Sequence, residues 1–88
     1  MPFPSEAARD VLGLLRAMWA AEDEPQRKRQ LAEAGHKMRQ AIELAETNEA
    51  AAHTMVDQAL RSVRDSMKYY QPFAPVFNAA YDRATAKR

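Results

Sequence analysis

Ala41-Ile42-Glu43-Leu44-Ala45-Glu46-Thr47-Asn48-Glu49-Ala50-Ala51-Ala52 is the stretch on which the fold turns. Before it, Leu31, Ala34, Gly35, Met38, Ala41, Ile42 and Ala45 fall within about 120° of one another at helical spacing. After it, Ala52, Met55, Val56, Ala59, Leu60, Val63, Met67 and Tyr70 form a second stripe, with Asp57, Arg61, Arg64 and Lys68 opposite. Leu31, Met38, Ala45, Ala52 and Ala59 keep one heptad register across the junction, which would suit a single unbroken helix. Glu49 opposes that reading, because an unbroken seam strips its carboxylate of water with no evident partner. Behind a Thr47 or Asn48 cap, Glu49 instead lies at the positive end of a new helix dipole. The stretch therefore predicts a turn at Thr47-Asn48 and two helices.

Outward from this junction the helical spacing continues. Ala8, Val11, Leu12, Leu15, Met18 and Trp19 share one arc of about 120°, with Ser5 placed to cap the helix and Glu6 near its positive end. Glu22-Asp23-Glu24-Pro25 ends that helix and opens the next, since proline fits a first turn and Asp23 is placed to cap it. Gln71-Pro72 stops the third helix, and Pro75, Phe77, Ala80, Tyr81 and Ala84 mark a short fourth. The expected fold is all-α: a small antiparallel bundle of three main helices over residues 5–22, 24–46 and 48–70, closed by a C-terminal helix over 75–86. Residues 1–4 read as a loose arm and residues 71–74 as a proline-containing connector. All 88 residues read as a single helical domain, small enough that shared apolar surface between subunits would help its stability.

Composition removes several functions. Without cysteine there is no disulfide, thiolate metal site or thiol nucleophile. Two glycines 22 residues apart form neither a phosphate-cradling loop nor a dinucleotide fingerprint. The longest uncharged run, residues 69–81, is too short and too interrupted by proline to span a bilayer. Glu6 precedes any basic residue and the apolar run 11–15 is too short for a secretory leader, so a cytoplasmic protein with no membrane partner is expected.

Each candidate site has a plain structural competitor. Glu33-Ala34-Gly35-His36 matches a Glu-x-x-His metal spacing, but occurs once and lies opposite the apolar stripe, so it reads as solvated. Glu49 and His53 add little to it, and no metal or other cofactor is expected. No nucleophile elbow or histidine pair points to catalysis, so the expectation is a non-enzymatic protein. Arg27-Lys28-Arg29 and the Arg83, Lys87, Arg88 end would serve a small nucleic-acid-binding regulator. However, the net charge is only +1, and a helix-turn-helix register fails where His36-Lys37 follows Gly35.

Five of the seven aromatics, Tyr69, Tyr70, Phe73, Phe77 and Tyr81, fall within that uncharged run. Such a segment either completes the core or faces a partner. The functional expectation is a helical interaction module that self-associates as a homodimer or higher oligomer. Its contacts would be this aromatic segment and the small residues Ala45, Ala52 and Ala59, which let helices approach closely.

Overall fold

A computed structural model describes residues 3–85. Helix α1 spans Ser5–Ala21, α2 Pro25–Leu44, α3 Glu49–Asp65 and α4 Ala74–Ala84. Two short 3₁₀ turns, Met67–Tyr69 and Gln71–Phe73, join α3 to α4. Among the described residues there is no strand, and the chain is an all-α bundle of three main helices and a shorter fourth. Short links make consecutive helices neighbours: α2 packs between α1 and α3, and α4 returns to lie mainly against α1.

The turn predicted at Thr47-Asn48 is present. The Asn48 side chain accepts a hydrogen bond from Ala51 N at 3.1 Å, and its carbonyl accepts from Ala52 N. Other boundaries differ from expectation for local reasons. Ser5 is already helical and makes no side-chain cap. Glu24, not Asp23, caps α2, accepting from Gln26 N at 3.1 Å and Arg27 N at 2.7 Å. Helix α3 ends at Asp65, five residues before the expected limit, because the chain tightens to i→i−3 bonding at Ser66 N to Val63 O. The expected loose arm is also corrected: Phe3 is buried, its N–H donates to Glu49 Oε2 at 2.8 Å and its ring packs against His53. Residues 1 and 2 lie outside the described residues.

One apolar core runs through all four helices. Val11, Leu15 and Met18 meet Leu31 and Met38, then Val56, Leu60 and Val63, with Phe77 inserted from α4. Ala52 and Ala59 are buried within this single chain, and Ala45 is partly buried against the same core. Their small size is thus used inside the bundle, which withdraws the sequence reason for assigning them to self-association.

Candidate functional site

The acidic run Glu22-Asp23-Glu24 divides its work. Asp23 is exposed, Glu24 caps α2, and Glu22 turns inward to become the one buried charged residue among those described. Its Oε1 accepts from Tyr70 Oη at 2.6 Å and Arg27 Nε at 3.0 Å. Its Oε2 accepts from the backbone N–H groups of Asp23 and Glu24, both at 3.0 Å, and from Arg27 Nη2 at 3.4 Å. Arg27, then Tyr70 and the Glu24 N–H, hold the Glu22 carboxyl down at about 2. Burial first, then the bond to Glu22, pushes the Tyr70 hydroxyl up to about 12. A carboxylate this acidic, with all its acceptor positions engaged, makes a poor general base. A phenol this basic makes a poor acid. The cluster is a clasp that ties the α1–α2 link to Tyr70, between the two 3₁₀ turns that follow α3.

The clasp has a pH signature. A carboxyl lowered from 4.5 to about 2 contributes stability that is full above about 4.5 and lost as pH falls toward 2. A phenol raised from 10.0 to about 12 contributes stability that is full below about 10 and lost as pH rises toward 12. In urea titrations, Glu22→Gln is expected to flatten the acid limb and Tyr70→Phe the alkaline limb. Limbs parallel to those of the parent chain would refute the clasp.

The basic triplet is largely occupied within the chain. Arg27 serves Glu22 and lies 4.5 Å from the Tyr69 ring centroid. Lys28 Nζ donates to Trp19 O at 3.0 Å and Glu22 O at 3.3 Å, and sits 3.9 Å from the Trp19 ring centroid. Of the three only Arg29 is exposed, while Arg27 and Lys28 are half-buried. Arg83 lies 3.7 Å from Asp10, while Lys87 and Arg88 fall outside the described residues. Glu33 and His36 are exposed on α2, whereas Glu49 and His53 hold Phe3 at the start of α3. These four residues do not converge, and among the described residues no group of three or more His, Asp or Glu side chains is placed to hold a metal ion. No helix among them is long and apolar enough to cross a membrane.

The aromatic segment divides as well. Phe77 and Tyr70 are buried inside the bundle, and Phe73 and Tyr81 are half-buried. Tyr69 is left exposed, between Arg27 and Lys68.

A different apolar surface remains open. Between α1 and α2 lies a groove of about 300 Å³ floored by Leu12, Leu15, Leu31 and Gly35. Trp19 and Ala32 form its walls, and Arg16 and Arg39 border it. Trp19 is 42 % exposed. Sequence reading placed Leu12 and Trp19 in the core stripe, and the angular order explains the error. Both stand at one edge of the arc, whereas Ala8, Val11, Leu15 and Met18, which fill it from there to the opposite edge, are the residues fully covered. A larger hollow of about 660 Å³ near Tyr69 is lined mainly by polar side chains of both signs, among them Glu24, Arg29 and Glu33.

Comparison with known proteins finds no matching family model, no matching curated protein and no matching solved structure.

Proposed function

We propose that this chain is a non-enzymatic helical interaction module that captures an apolar element of another protein in the groove between α1 and α2. The observation that carries this reading is the exposed Trp19 and half-buried Leu12 on one wall of a concavity between α1 and α2 that no described element of the chain fills. An exposed tryptophan in an apolar concavity has the chemistry of an interface centre. Lys28 supports the role by fixing the Trp19 ring and the backbone beneath it, so less freedom is lost on binding. A second copy of the chain is a poor occupant, because a two-fold pairing through this groove would gather Arg16 and Arg39 of both chains into one interface.

Trp19 is the only tryptophan, so its emission reports on the groove alone. A neutral amphipathic helical peptide of about 16 residues, with leucines at i, i+3 and i+7 and glutamine on its polar face, is expected to shift that emission to the blue saturably. Light scattering of the free chain is expected to return the monomer mass of 10.0 kDa across concentration. Emission indifferent to the peptide would refute the groove as a docking face. A concentration-dependent dimer that buries Trp19 would refute the choice of occupant.

A further inference from the structure

We infer that the groove selects an acidic amphipathic helix, whose apolar anchors pack against Trp19 and Leu12 and whose carboxylates meet Arg16 and Arg39. This rests on the groove being the recognition face and adds the chemistry of the partner. Length sets the geometry. Leu12 to Trp19 advances seven residues along α1, about 10.5 Å, and the i, i+3, i+7 anchors of a docked helix advance the same distance.

Charge sets the sign. Among the described residues, Arg27, Arg61 and Arg83 have carboxylate partners, whereas Arg9, Arg16, Arg29, Arg39 and Arg64 have none, and of these five Arg16 and Arg39 border the groove. Among the described residues no carboxylate lines the groove. A neutral helix docked there would crowd both guanidinium groups without pairing them, a basic helix would be repelled, and an acidic one forms charge-assisted hydrogen bonds with them.

Gly35 supplies an independent observation. It lies within α2, where glycine costs about 1 kcal/mol relative to alanine. Helix packing does not demand it, since an added Cβ would meet only Leu12 Cδ1, at an ordinary 3.7 Å. What the missing methyl does provide is depth at the groove floor. An anionic membrane surface would satisfy the two arginines as well, but a flat surface does not follow the concavity between Trp19 and Ala32.

The test measures affinity of the intact chain for three versions of one leucine-anchored peptide, with glutamate, glutamine or lysine on the polar face, and for phosphatidylglycerol vesicles. At low salt the glutamate peptide is expected to bind about fivefold more tightly than the glutamine peptide and about 30-fold more tightly than the lysine peptide, with the spread collapsing at high salt. Arg16→Glu combined with Arg39→Glu is expected to reverse the order. Gly35→Ala is expected to raise thermal stability while weakening all three peptides, a combination that a purely structural glycine would not give. Equal affinities for the three peptides would overturn the charge inference and leave the docking face standing. Binding of none would overturn both, and vesicle binding that exceeds peptide binding would assign the arginines to lipid instead.

Discussion

Phe77→Ala is expected to lower the unfolding free energy by about 3–5 kcal/mol, the range for emptying a phenylalanine site in a packed core. Phe77 is fully covered, and it joins α4 to the cluster formed by the other three helices. A domain of this size has little stability to spare, of order 5–15 kcal/mol at best, so the variant should sit close to its unfolding threshold. Its melting temperature should fall by about 12–40 °C, at the 4–8 °C per kcal/mol typical of small domains. Tyr69→Ala supplies the contrast. Tyr69 belongs to the same aromatic run but is 54 % exposed, and its removal should cost less than about 1 kcal/mol. Urea midpoints of the two variants measure the difference directly. Similar losses in both would mean that the aromatic segment does not divide between core and surface as described.

Trp19→Ala should produce the opposite pattern, with binding lost and the fold kept. Tryptophans at the centre of an interface commonly contribute 2 kcal/mol or more, so affinity for the leucine-anchored peptides should fall at least about 30-fold. The cost to stability should stay near 1 kcal/mol, because the ring is only partly covered by its own chain. The cation above it, Lys28, still has the Trp19 and Glu22 carbonyls to bond after the ring is gone. Calorimetry and a peptide titration on the same preparation separate these effects. A variant that unfolds would make Trp19 a core residue, and a variant that binds normally would take the groove out of the account.

What the sequence made legible was whatever depends on neighbours along the chain. The four helices follow from apolar spacing, and the turn at Thr47-Asn48 follows from Glu49, which a continuous helix would have stranded among apolar positions. Choosing between adjacent acids was harder. Asp23 and Glu24 compete for the cap, and Glu24 takes it because it stands directly before Pro25, where the helix begins. The Glu22–Tyr70 bond was not legible at all, since its partners stand 48 residues apart and no local pattern encodes a contact at that separation.

The aromatic cluster announced that something must be buried without saying against what. Small residues gave the same ambiguity, as Ala52 and Ala59 suit a contact between helices whether those helices belong to one chain or two. The groove left its trace in angle alone. Leu12 and Trp19 occupy the edge of their stripe, and only the position of α2 decides whether an edge is covered.

The central claim is that the binding face lies between α1 and α2, while α3 and α4 serve to complete the core. Backbone amide resonances of the isotope-labelled chain, followed as the glutamate peptide is added, test it most directly. The shifts should gather at residues 12–19 and 31–39, with those of 49–65 and 74–84 nearly still. Shifts centred instead on Tyr69, Phe73 and Val76 would contradict it and return the interface to the C-terminal aromatic segment.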